Sequence, residues 1–544
     1  MRVSPSLFPT ALARLAQDAT LPVEQVERLR AGTATVEEWC NAGEKLLGID
    51  PRLARALLER AAQLQPNIPN VHYLLGNAFR LCAEPAMAEI ALRRAIALQP
   101  AHADASLSLA FLLREQGRMQ ALADVMLDLW RNEPRSLDSD RRTLAFLCEC
   151  GRFSEARQIL PAMLEAHPHE AELLRRAGEI ALVLGHFDAA RDHLNASLDR
   201  DPRQASAWLR LAHTHRFASE QEPDLIRLRQ AATRVDLGAD AQSAVGFALG
   251  KALDDLDQIE EASRVLGEAN ARWRASHPWN AAPFLAQVDQ PPQPSRAESA
   301  EPAHSASALF IVGLPRAGTT LLETLLCRDP ALRSRGELNW IDALARKLGP
   351  QPSTAMLRSA GEFYLAQLRQ DDAPASIYID KNPLNFRYLG LVAAMLPRAR
   401  VIHCRRDIRA TALSLWSQHF AHESMAWSYS FEDIARFAHG YQQLMAHWLA
   451  TAPLPIHELD YESLAREPES VIAGVRNFLD LGADESPSTS KSAAAIATAS
   501  VWQARQQVHT RSIERWRRYE PFLPQLADMQ AVVSPSPAGV PKRA

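Results

Sequence analysis

The chain has 544 residues, of which 47% are apolar and 23% charged, a balance that supports buried cores and excludes an intrinsically disordered chain. That length exceeds a single core, so at least two folding units are expected. Sixty Lys and Arg against 64 Asp and Glu leave a net charge of −4, too weak a field to hold nucleic acid or an anionic membrane against salt, and no apolar run reaches membrane-spanning length.

At the N-terminus, Pro9, Arg14 and Asp18 interrupt the apolar residues, so the unbroken run of a secretory signal is missing. Six scattered cysteines (Cys40, Cys82, Cys148, Cys150, Cys327, Cys404) fit neither a CxxC redox site nor a zinc knuckle. Reduced thiols, no metal and a cytoplasmic location are the expectation. Residues 1–39 read as an N-terminal helical cap.

From residue 40 to 275 the sequence repeats. Pro66, Pro100, Pro134, Pro168 and Pro202 recur every 34 residues, and proline, lacking an amide proton and disfavouring helix in the residue before it, marks the end of a helix in each unit. Loop glycines Gly117, Gly151 and Gly185 keep the same period. Between the prolines, small and large apolar residues hold fixed offsets: Leu75, Gly76, Phe79, Ala88, Leu92 and Ala95 in one unit, Ala177, Gly178, Ala181, Ala190 and Leu194 in a later one. The array resembles the tetratricopeptide-repeat (TPR) family, which implies an α-solenoid of helix pairs. Such an array either only stacks on the rest of the protein or offers a concave face to an extended peptide. Residues 276–306, rich in Pro, Ala and Ser, read as a linker or as a segment draped over the junction.

The second half opens with SALFIVGLPRAGTTLLETLL. An apolar run at Ala308–Val312 reads as a strand and Thr320–Leu326 as a helix, with a glycine loop between them whose amides suit phosphate or sulfate. The Gly313-x4-Gly318 spacing matches the nucleotide-triphosphate loop, but Thr319 and Thr320 follow where that loop carries lysine; Arg316 inside the loop supplies the positive charge, with a planar fork able to hold two oxygens. Further on, RSRGELNW places Glu337 just beyond the loop's helix, where it reads either as a general base or as a helix-capping carboxylate. SIYIDKNPLNF ends a strand at Lys381, and ARVIHCRRDIRATALSLW ends another before Arg406, with Ser414 one or two helical turns on. PIHELDYESLAREP reads as a strand ending at Tyr461. Near the C-terminus come Ser500 and the basic run Arg505, Arg511, Arg515, Arg517 and Arg518, either a cover over a ligand or a solvated helix face.

The string FIVGLPRAGTTLLE resembles the 5′-phosphosulfate loop of the sulfotransferases, usually PRSGTT or PKSGTT, with Ala317 in place of the serine. The resemblance spans residues 307–525 and implies an α/β P-loop-like domain with a parallel sheet flanked by helices. It further implies the donor 3′-phosphoadenosine-5′-phosphosulfate (PAPS), bound by Pro315, Arg316, Ala317, Gly318, Thr319 and Thr320, with Arg406 and Ser414 on its 3′-phosphate and Tyr461 and Ser500 beside it. Glu337 resembles the glutamate of the tyrosylprotein branch and is the implied base; Arg316 and Lys381 are the implied cations at the reacting centre. The Lys-Thr-His segment of the small-molecule branch is missing. No metal is implied, because sulfuryl transfer carries less charge than phosphoryl transfer. The expected acceptor is a protein or peptide, a tyrosine foremost, or a small hydroxyl compound, with the repeats recruiting it; neither nucleic acid nor membrane is expected as a partner. The rival readings are an ATP-dependent P-loop kinase or NTPase and a non-catalytic TPR scaffold. Residues 526–544 read as a disordered tail.

Overall fold

The computed structural model describes residues 22–291, 307–420, 422–482 and 510–533. By its internal contacts the chain divides into two compact units, one carrying the helices up to Ala156 with the short segment Gln370–Asp372, the other carrying the rest.

The first unit is helical. Its opening helices, Val23–Ala31 and Val36–Leu46, share a core with the next, Pro51–Leu64, through Leu29, Trp39, Leu46 and Leu57. The second of these runs through residue 39, where the sequence placed the end of a cap; Trp39 is buried and a Thr35–Glu38 capping box starts the helix.

The proline period becomes a helix period. Helices end at Leu64, Leu98, Asn132, Ala166 and Arg200 and restart at Pro69, Ala103, Leu137, Ala171 and Ala205, so each repeated proline lies just past a helix end. Gly117, Gly151 and Gly185 take φ of 70°, 71° and 82°, and the equivalent residue one unit earlier is Ala83, at φ 58°. The small residues let paired helices close up: a Cβ on Gly76 would lie 2.6 Å from Leu92 Cγ, and one on Gly178 equally close to Leu194 Cγ.

In the second unit the array ends in the pair Ala239–Asp255 and Ile259–Ser276. The stretch read as a linker contains a helix, Ala282–Asp289, because Phe284 finds a buried seat, stacked on Phe437 at 4.3 Å in the space left by Gly440. The C-terminal stretch read as a tail is likewise helical over Gln525–Val533, which packs on the helices Ile408–Trp416 and Phe431–Thr451 and buries Leu526 and Met529.

Between these lies a five-stranded sheet of β1 (Ser307–Gly313), β2 (Leu332–Ser334), β3 (Ile377–Asp380), β4 (Arg400–Arg405) and β5 (Ile456–Asp460), in the order β2-β3-β1-β4-β5 with every pairing parallel. Alternation along β1 sends Leu309 and Ile311 to a core with Leu322, Leu464 and Val475, and Phe310 and Val312 to the opposite core with Tyr364, Phe386 and Leu444. The second core continues without a break to Trp208, Leu253 and Trp273 of the last repeats. Parallel strands end on one edge, where a ligand site is expected. That edge carries Gly313, Asp380 and Arg405.

Candidate active site at the strand ends

Three left-handed residues shape the turn out of β1. Gly313 (φ 152°) must be glycine, since a Cβ would sit 2.4 Å from the Cys404 carbonyl oxygen. Gly318 (φ 90°) precedes the helix Thr319–Leu326, and a Cβ there would sit 2.3 Å from the Tyr461 ring. Arg316 (φ 74°) is the exception, a side-chain-bearing residue in a conformation that costs it roughly 1–2 kcal/mol. Its neighbours hold it there. Arg406 donates to the Arg316 carbonyl at 2.9 Å, and Arg316 Nε donates to Ser414 Oγ at 2.9 Å. A residue of the loop and two residues from beyond β4 thus meet in one bonded group.

Arg406 also donates to the Ser512 carbonyl at 2.6 Å, and its guanidinium lies 4.5 Å from the centre of the Tyr461 ring, whose hydroxyl bonds Ser512 Oγ. β5 ends at Asp460, one residue sooner than expected, and Tyr461 opens the helix Tyr461–Arg466; that offset is what lays its ring on Gly318. Burial, then the like charges of Arg406 and Arg515, pulls the Arg316 guanidinium down to about 10, and burial also lowers Arg406. Cations that disfavour their own charge at a glycine turn are relieved by a bound anion. The first amides of the following helix add unpaired donors.

Ala317 is 2% exposed and sits among Leu309 and Leu322, so its methyl group faces the core. Pro315 and Thr319 are buried, Thr320 half-buried. Ser500 and Arg505 lie outside the described residues.

A second cluster stands at the ends of β2 and β3. The Lys381 ammonium, fully buried, hydrogen-bonds Glu337 Oε1 and lies 3.7 Å from Glu323, while Glu337 is 53% exposed. Burial pushes the Glu323 carboxyl above the usual carboxylate range, with Lys381 and the Ser334 hydroxyl partly offsetting it. Glu337 also raises Arg316, so the two clusters share one electrostatic field.

Glu323, Asp380 and Ser512 are not among the site residues expected from the sequence. Glu323 is the only charged residue in its helix, and Asp380 closes an apolar strand; both were visible signals. Two members of the basic run brace the last repeat helices: Arg515 pairs with Asp254 at 3.1 Å and Arg518 with Asp257.

The five strands run parallel, and an arginine-bearing glycine turn stands at the end of β1. Residues 308–485 match the sulfotransferase family, and residues 149–213 match the tetratricopeptide repeat. The chain thus combines a region similar to the tetratricopeptide repeats with a region similar to the sulfotransferase family. An uncharacterized protein of Aquifex aeolicus is 31% identical over 309 residues, 52% of this chain and 40% of its own. The protein-tyrosine sulfotransferase of Drosophila melanogaster is 25% identical over 32% of this chain and 38% of its own. Protein-tyrosine sulfotransferase 1 of Danio rerio is 24% identical over 42% and 64% respectively. In each case the match spans less than two thirds of the relative's length.

Proposed function

We propose that this protein transfers a sulfuryl group from PAPS to an acceptor hydroxyl, with a protein tyrosine as the favoured acceptor. The observation that carries the reading is the bonded group Arg316–Ser414–Arg406, which links a glycine turn suited to the 5′-phosphosulfate to side chains suited to a second phosphate. Thr319 stands where a triphosphate loop has lysine, which weighs against an ATP-dependent reading.

In the displacement, the acceptor oxygen forms a bond to sulfur as the bond from sulfur to the 5′-phosphate oxygen breaks. Glu337, exposed at the edge of the site, takes the hydroxyl proton. Lys381 meets charge on the departing phosphate oxygen; its ammonium has three donors, so it can keep Glu337 while doing so. Arg316 holds the sulfated end against the turn. The preference for tyrosine draws on the names of two distant relatives and on repeats suited to a polypeptide.

The test is transfer of label from PAPS carrying radioactive sulfur to a tyrosine-containing peptide, with chelator present. Label on the tyrosine oxygen, lost in Glu337→Ala while nucleotide binding persists, is the expected result. No transfer to any hydroxyl acceptor, or a Glu337→Ala variant at wild-type turnover, contradicts the reading.

A further inference from the structure

Asp380 takes no part in the displacement above, yet its buried carboxylate accepts four hydrogen bonds. It closes β3 and is 1% exposed. Its Oδ1 accepts the backbone amides of Asn382 at 3.0 Å and Leu338 at 3.4 Å. Its Oδ2 accepts Asn385 Nδ2 at 2.8 Å and the Tyr364 hydroxyl. Once ionised, above about pH 7, the carboxylate offers about four lone-pair sites, and here four donors use them.

Two of those donors bracket the reacting residues. The Leu338 amide directly follows Glu337, and the Asn382 amide directly follows Lys381. A single oxygen therefore ties down the backbone behind both side chains. Two more bonds close the frame: Lys381 N donates to the Gly336 carbonyl at 2.8 Å, and Asn382 Nδ2 to the Leu338 carbonyl at 3.0 Å. Glu337 and Lys381 are 44 residues apart in sequence, and β2 is only three residues long, so strand pairing alone is a weak constraint on their spacing.

We propose that Asp380 is a positioning residue for sulfuryl transfer, setting the separation of Glu337 and Lys381 through the backbone behind them. The proposal rests on the sulfotransfer reading. Burying a carboxylate is costly, and where only the fold is at stake an apolar residue serves as well or better; the compensation at Asp380 is geometric control of the pair. None of its four donors belongs to the donor loop, so its role separates from nucleotide binding.

The experiment compares full-length Asp380→Asn, Glu337→Gln and the double variant with wild type. It follows release of adenosine 3′,5′-bisphosphate from PAPS with a tyrosine-containing peptide, alongside calorimetric binding of that nucleotide. Asp380→Asn is expected to keep nucleotide affinity within about twofold and to lose turnover by about 100-fold, the scale of a small misplacement of reacting groups. On the Glu337→Gln background it should add little, because the group being positioned is already disabled. If Asp380→Asn fails to fold, Tyr364→Phe removes a single donor and should lower turnover at unchanged affinity. Wild-type turnover in the folded variant, affinity falling in step with turnover, or full additivity with Glu337→Gln overturns the positioning role alone. Wild-type protein that moves no sulfuryl group overturns the sulfotransfer reading and this role with it.

Discussion

Arg316 combines three costs: a left-handed backbone, partial burial and two like-charged neighbours. Fold stability favours none of them, which is why the residue reads as functional. Arg316→Lys should lose product-nucleotide affinity nearly as fully as Arg316→Ala, since a compact ammonium lacks the planar fork that holds two oxygens of one anion side by side; titration calorimetry checks this, with a loss of at least about tenfold expected. Asp380 gives a stability signature. Burial pushes its carboxyl up to about 7 from an ordinary value of 3.8. Between those two pH values the folded state holds a proton that the unfolded state has released, so this residue's contribution falls as pH rises and levels off above about 7. Subtracting urea-denaturation stabilities of Asp380→Asn from wild type across pH 4 to 8 should show that slope, on the order of a few kcal/mol in total. At this scale the sequence revealed what lies in contiguous strings: the glycine turn, Arg406 and Ser414. It did not reveal that Lys381 and Glu337 bond one another, since that contact depends on how β2 and β3 align.

Among the elements, the repeats were the most readable, because proline and glycine impose their backbone limits wherever they stand and a 34-residue period makes those limits recur. The break in that pattern at Ala83 is a test of it. Ala83→Gly places the residue of the later units at a left-handed position and should stabilise the protein by about 0.5–1 kcal/mol, measured as a raised urea midpoint. The helices Ala282–Asp289 and Gln525–Val533 were not readable, since Pro- and Ala-rich stretches have no strong period and short helices depend on tertiary seats. Phe284→Ala, which empties the seat against Phe437 and Gly440, should cost about 3–5 kcal/mol by the same assay.

For the molecule as a whole, the shared core of the second unit bears on why repeats and α/β domain occur in one chain. Asn270 donates to the Trp416 carbonyl at 2.9 Å, Arg274 pairs with Asp433 at 2.9 Å, and Phe247 stacks on His419 at 5.0 Å. Asp254 accepts both Arg515 and the Tyr519 hydroxyl, the latter at 2.7 Å, close in sequence to the Ser512 that braces Arg406. Asp254→Ala leaves the half-buried Arg515 guanidinium without its carboxylate and should lower stability by about 1–3 kcal/mol. This joint was not legible: its partners come from segments more than 140 residues apart, and nothing in either segment's own pattern names the other.

On the proposed function, the glycine turn and the residues beyond β4 together grip a nucleotide carrying both a 5′-phosphosulfate and a 3′-phosphate. Titration calorimetry of adenosine 3′,5′-bisphosphate against ADP, without divalent metal, tests it most directly. Binding that requires the 3′-phosphate and disappears in Arg316→Ala is expected; ADP binding equally well, or full affinity in Arg316→Ala, would contradict it.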